Sequence, residues 1–186
     1  MDSSRTFIAI ELGASAAATV ERLIHELQQQ VDGVRWSRRE QLHLTLKFIG
    51  DLDHRQLPAL CGQLRVACAE VEPFAVLLQG LGTFPKDRPP RVVWAKVQQG
   101  ADSLQQLSQQ LTTALQDFGL RRETRAYTPH LTLGRVGRTA DTQQLQHALA
   151  RLANTSVRFD VNEIVLFATR KERGSVYYEP LDIVEL

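Results

Sequence analysis

His43-Leu44-Thr45-Leu46 recurs as His130-Leu131-Thr132-Leu133, one copy near the middle of each half of the chain. Only 5 histidines are present, and two of them head these copies. Each copy lies in an apolar-alternating run that reads as a strand, Leu42 to Ile49 and Tyr127 to Val136. Side chains on a strand alternate faces with period two. His43 and Thr45 therefore share one face, with Leu42, Leu44 and Leu46 on the other. In the second copy His130, Thr132 and Gly134 line up against Leu131 and Leu133. Burial of the leucines under helices leaves a His-x-Thr pair facing outward from each strand. If the two halves pack as related lobes, both pairs meet across one groove.

Outward from these strands, Thr6 to Leu12 (TFIAIEL) alternates as a strand. Gly13 and Ser15 open a helix with Val20, Leu23, Ile24, Leu27 and Val31 at helical spacing, ended by Gly33. Val34 to Ser37 is a short extended piece. Gly50 is expected to break the first His strand, and Asp51 or Asp53 to cap a helix carrying Leu57, Leu60, Leu64, Val66 and Ala67. Phe74 to Leu81 reads as a strand, Gly82 to Pro90 as a turn-rich loop, and Arg91 to Gln98 as a strand closed by Gly100. A helix from Asp102 or Ser103 carries Leu104, Leu107, Leu111 and Leu115 and ends at Gly119. The polar connection Arg121 to Arg125 leads to the second His strand. After a helix from about Asp141 to Leu152, strands are expected at Val157 to Asp160, Glu163 to Arg170 and Val176 to Glu185, with a hairpin turn around Glu172 to Ser175. The order is that of a mixed α/β chain with a weak internal repeat.

Composition narrows the classes further. Hydrophobic content of 43% and charged content of 23% are those of a globular protein, and 186 residues suffice for one compact domain, 1–186. The formal net charge of +1 gives no global pull toward nucleic acid, so any RNA contact must be local. No apolar run approaches the ~20 residues of a membrane span, and the start of the chain lacks a signal peptide's apolar segment. Cys61 and Cys68, seven apart on one helix, lie ~10 Å apart along its axis and read as structural thiols of a reducing cytoplasm.

Two imidazoles with pKa values near 6.5 suit paired proton transfer, one accepting from water and one donating to a leaving oxygen. Thr45 and Thr132 supply neutral hydroxyl donors for the oxygens of a monoanionic phosphodiester. A lone strand histidine is more often structural, and His25, His54 and His147 take that reading. The paired context sets His43 and His130 apart. Neither copy has the ligand spacing of a zinc site, and no metal or cofactor is expected. Arg135 reaches a phosphate only where the strand ends or bulges, since simple alternation puts it on the opposite face. Lys47 shares the His43 face and reads as a solvated lysine. Phe48 and Tyr127 flank the motifs and are the candidate base-stacking residues, with Trp36 and Trp94 behind them.

Two His-x-Thr motifs, in HLTLKFIG and YTPHLTLGRV, together with FIAIEL and LGTFP…PRVVWAKV, resemble the 2H phosphoesterase superfamily. Within it the resemblance is to the RNA 2′,3′-cyclic phosphodiesterases, also known as 2′-5′ RNA ligases. It implies an α+β fold of two pseudo-symmetric lobes, each a mostly antiparallel sheet with outer helices, around a central cleft. It implies metal-independent opening of a 2′,3′-cyclic phosphate to a 2′-phosphomonoester, with reversible 2′-5′ ligation through the same groups. His43 is then the proton donor to the departing 3′-oxygen, His130 activates water, Thr45 and Thr132 hold phosphate oxygens, and Arg135 contacts substrate. The expected protein is a cytoplasmic monomer acting on RNA ends or nucleotides with 2′,3′-cyclic phosphate. The alternative is a groove that binds nucleotides or RNA ends without turnover.

Overall fold

The computed structural model describes residues 3–85, 88–118, 126–172 and 174–186. Strand β1 (Ser3–Glu11) is followed by α1 (Ala14–Gln28), β2 (Val34–Trp36), β3 (His43–Asp53), α2 (Leu57–Cys68), β4 (Phe74–Phe84) and β5 (Val92–Gln99). Then come α3 (Ala101–Ala114), β6 (His130–Val136), α4 (Thr142–Leu152), β7 (Ser156–Val161), β8 (Glu163–Glu172) and β9 (Ser175–Glu185). The first sheet has four strands in the order β3-β1-β8-β9, the second five in the order β2-β6-β5-β4-β7. Every pairing is antiparallel. The fold is α+β with two antiparallel sheets and four α-helices among the described residues.

The repeat β1-α1-β3-α2 corresponds to β5-α3-β6-α4, and each His strand pairs with the first strand of its own repeat. The lobes are nevertheless not the two halves of the sequence. Helix α1 packs on β7 and β2 and α4 on β4, all of the second sheet, while α3 packs on β3 and α2 on β9, both of the first. The first helix of each repeat thus crosses to the other repeat's sheet. One apolar cluster consequently runs through both lobes, from Ile8, Leu44 and Leu46 to Val93, Leu131 and Leu133.

Helix α1 forms because Ala16, Val20, Leu23, Ile24 and Leu27 make one buried stripe. Helix α3 does the same with Leu104, Leu107 and Leu111. Asp141 caps α4, its Oδ1 accepting from the Gln143 and Gln144 amides at 2.9 and 3.0 Å. Only Gly100 separates β5 from α3. Its φ is +82°, and a Cβ there would stand 2.6 Å from the Ala75 carbonyl oxygen, so a side chain has no room at this passage.

Three expectations are corrected. Gly50 does not end β3: with φ +91° it takes part in an irregularity opposite Thr6, and pairing continues to Asp53 opposite Ser3. Gly82 to Phe84 is not loop but the end of β4, paired with Val92 to Trp94. Tyr127 to Pro129 precede β6 rather than belonging to it. Asp53 caps the short turn before α2, accepting from the Arg55 amide at 2.9 Å. The connection Arg121 to Arg125, Gly119, Lys86 and Asp87 in the expected loop, and Arg173 in the last hairpin lie outside the described residues.

Candidate active site

Leu42, Leu44 and Leu46 are buried at 5%, 0% and 1% exposure, while His43 and Thr45 between them are half-buried. Leu131 and Leu133 are likewise fully buried, with His130 and Thr132 half-buried. Alternation therefore holds over both His-x-Thr motifs. β3 is an edge strand of its sheet and β6 lies one strand in from the edge of the other. The two strands approach until Cα atoms lie within 8 Å, and the charge of His130 acts on His43.

Beyond each motif the alternation fails at the same place. Thr45 pairs with Ala9 but Lys47 with Ile8, so Leu46 and Lys47 together oppose one residue of β1. Thr132 pairs with Trp94 but Gly134 with Val93, so Leu133 and Gly134 together oppose one residue of β5. These are β-bulges, which insert one residue and reverse the faces of the residues after it. Ile8 and Val93 are core residues at 0% exposure, and direct partners share a face. Lys47 and Gly134 accordingly point inward, and Phe48 and Arg135, one position on, turn into the cleft. Lys47 is only 3% exposed, which corrects its reading as a solvated lysine on the His43 face. Arg135 lies just past a bulge, which puts it on the same face as His130 and Thr132 rather than on the opposite one.

Ser108 on α3 holds the first bulge: its hydroxyl, in a side chain 3% exposed, donates to the Leu46 carbonyl at 2.8 Å. At the second, a Cβ on Gly134 would come within 3.0 Å of the Trp36 and Val34 side chains, so glycine lets β2 lie close against β6.

The environments of the two histidines differ. His43 lies in an aromatic pocket, with ring centroids 5.0 Å from Phe7 and 5.1 Å from Tyr178, the latter edge-on. Phe7, Ala9, Val165 and Phe167 form a small apolar cluster of their own beneath it. This burial pushes the His43 pKa from 6.5 down to about 4; a hydrogen bond with the Gln41 backbone opposes the shift, and the His130 charge adds to it. The two rings are thus within electrostatic reach of each other. His130 contacts Phe84 and Trp94 edge-on at 5.7 and 5.9 Å. Its Nδ1 is 2.8 Å from the Thr128 carbonyl oxygen. A carbonyl only accepts, so Nδ1 carries the proton and Nε2 of the neutral ring presents its lone pair.

Glu11 stands directly opposite His43 and Lys96 directly opposite His130. The Glu11 carboxyl is raised above its ordinary pKa, first by burial and then by the nearby Glu163. Among the described residues the Thr45 and Thr132 hydroxyls enter no hydrogen bond, and no three His, Cys, Asp or Glu side chains group for a metal.

Of the stacking candidates, Phe48 is 60% exposed with its ring 6.2 Å from Phe7. Tyr127 is half-buried against the main core with its hydroxyl enclosed, and Trp36 packs on the same core. Trp94 stacks on Phe84 at 4.6 Å beside His130. Sequence reasoning singled out neither Phe7 nor Tyr178 beside His43, nor Lys96. Phe7 had a signal, since TFIAIEL sets Phe7, Ala9 and Glu11 on one face. Tyr178 had none, being distant along the chain.

Residues 14–173 match the model of the 2′-5′ RNA ligase superfamily. A curated protein of Methanothermobacter thermautotrophicus named RNA 2′,3′-cyclic phosphodiesterase is 30% identical over 183 residues, covering 98% of this chain and 98% of its own. One of the same name from Geobacillus stearothermophilus is 31% identical over 95% of this chain, which spans 56% of that relative's length. Among solved structures, E. coli LigT complexed with 3′-AMP superposes with a TM-score of 0.79 at 25% identity, over 100% of this chain and 99% of that one.

Proposed function

The chain belongs to the 2′-5′ RNA ligase superfamily, and from that premise we propose that it is an RNA 2′,3′-cyclic phosphodiesterase, a hydrolase that opens the cyclic phosphate at an RNA end. The observation that supports the reading is the approach of the two His-bearing strands from different sheets, near enough for the His130 charge to act on His43, each with a threonine hydroxyl two positions along on the same face that enters no hydrogen bond among the described residues.

The chemistry comes from the two environments. A cyclic phosphate between the rings is held by the Thr45 and Thr132 hydroxyls. Nε2 of His130 takes a proton from water as the water oxygen bonds to phosphorus. The bond from phosphorus to the 3′-oxygen breaks, and His43 supplies the proton that the leaving oxygen needs. The product is a 2′-phosphomonoester and a 3′-hydroxyl; reversal through the same groups, with a 5′-hydroxyl in place of water, joins ends by a 2′-5′ bond. His43 is neutral in the free protein at pH 7 because burial holds its pKa at about 4. The bound phosphate monoanion favours the charged ring and raises that pKa, so the acid is armed by its substrate. The role of Arg135 is to hold a substrate phosphate, and that of Phe48 is to stack on a base.

Incubation with an RNA end bearing a 2′,3′-cyclic phosphate, with the 2′-phosphomonoester followed by phosphorus NMR, tests the reading. His43→Ala and His130→Ala should each slow turnover roughly 10²–10⁴-fold, the usual share of one general acid or base. Near-full activity of both variants, or binding without turnover by the unaltered protein, overturns it; the latter outcome would leave a nucleotide-binding groove.

A further inference from the structure

The second sheet presents cations that no ion pair among the described residues compensates. Arg35 of β2 and Arg135 of β6 are direct antiparallel partners, and both are exposed. Val34 and Trp36, on either side of Arg35, pack on the core, so Arg35 points to the opposite side, where the bulge also turns Arg135. Direct partners have Cβ atoms about 5 Å apart, and like charges in that relation oppose folding. Among the described residues neither arginine has an ion pair or hydrogen bond. Lys96, also exposed, stands beside His130 on the same face. A basic track thus begins at His130 and reaches β2, the edge of the sheet, roughly 15 Å along β6 at strand rise.

The facing wall is of the opposite kind. It carries Phe7, Phe48 and Tyr178 around His43 and no cation opposite that ring, where Glu11 stands. Aromatic rings on one side and a line of cations on the other is the composition that holds a single nucleic-acid strand, bases stacked and backbone neutralised. A free cyclic nucleotide has one phosphate, which the histidines and threonines already hold. Only a longer chain brings a second phosphate to the far end of the track.

We propose that Arg35, beside Arg135, forms a subsite for a backbone phosphate upstream of the reacting end, so that the cleft grips the RNA strand beyond its reacting nucleotide. This rests on the phosphodiesterase reading above. The test compares adenosine 2′,3′-cyclic phosphate with a short RNA ending in the same group, in the unaltered protein and in Arg35→Gln. The unaltered protein should turn over the RNA with at least about tenfold higher kcat/KM at low salt. Arg35→Gln should lower kcat/KM for the RNA about tenfold more than for the mononucleotide. It should also flatten the plot of log kcat/KM against log salt by about 0.7, the value for one phosphate of a single strand. The melting temperature should not fall, because the substitution removes a like-charge opposition. Equal losses on both substrates, no loss on the RNA, or a lowered melting temperature without discrimination overturns the proposal while leaving the phosphodiesterase reading in place. Turnover of neither substrate by the unaltered protein removes both.

Discussion

His43 is the side chain on which the chemistry and the stability of the protein meet. Packed between Phe7 and Tyr178, it has a folded pKa of about 4 against an ordinary 6.5. Below pH 6.5 the unfolded chain binds a proton there that the folded chain refuses until about pH 4. Stability from this group is therefore complete above pH 6.5 and lost as pH falls through that window, by roughly 3 kcal/mol in total at 1.36 kcal/mol per pKa unit. Denaturant unfolding at pH 7 and pH 4.5 should show the loss, and His43→Leu should show a smaller difference between the two. An equal difference in the variant would mean that other groups carry it.

At the scale of elements the decisive features are the two bulges. Each comes directly after His-x-Thr-Leu, and each converts the fifth residue after the histidine from a core position to a cleft position, giving Phe48 in one strand and Arg135 in the other. A bulge leaves a residue outside the ladder, and its polar backbone needs another partner. For Leu46 that partner is Ser108, on the helix that crosses from the other repeat. Ser108→Ala leaves this buried carbonyl without its donor and should cost about 1–3 kcal/mol, read as a lower denaturant midpoint. Activity should fall as well, since the bulge aims Phe48 from the strand that bears His43. A variant with unchanged stability would show that the bulge does not depend on α3.

Over the whole molecule, the exchange of α1 and α3 between sheets makes one core of two lobes and fixes the walls of the cleft against each other. A ligand held by both walls should stabilise the entire fold. Adenosine 2′-monophosphate, the expected product of the mononucleotide reaction, should add about 2.7 kcal/mol at a hundredfold excess over its Kd. Thermal unfolding checks this. Thr45→Ala and Thr132→Ala should each diminish the shift at fixed ligand concentration, because each lobe supplies one of the hydroxyls. A shift sensitive to only one of the two places the ligand on one wall.

Much of this was legible along the chain because period-two alternation is local. HLTL by itself determined that His43 with Thr45, and His130 with Thr132, face away from buried leucines. The paired motifs also marked the family, and the leucine spacing of α1 and α3 marked those helices. Alternation stops being informative where a bulge resets it, and a bulge is settled by the partner strand and by donors such as Ser108, far off in sequence. Hence Lys47 turned inward although its spacing put it with His43, and Arg135 turned into the cleft. Only the tertiary structure could decide those faces, the depressed His43 pKa and the opposition of Arg35 to Arg135. Each depends on what another segment brings within a few ångströms, and a pattern read along one strand carries no record of its neighbours.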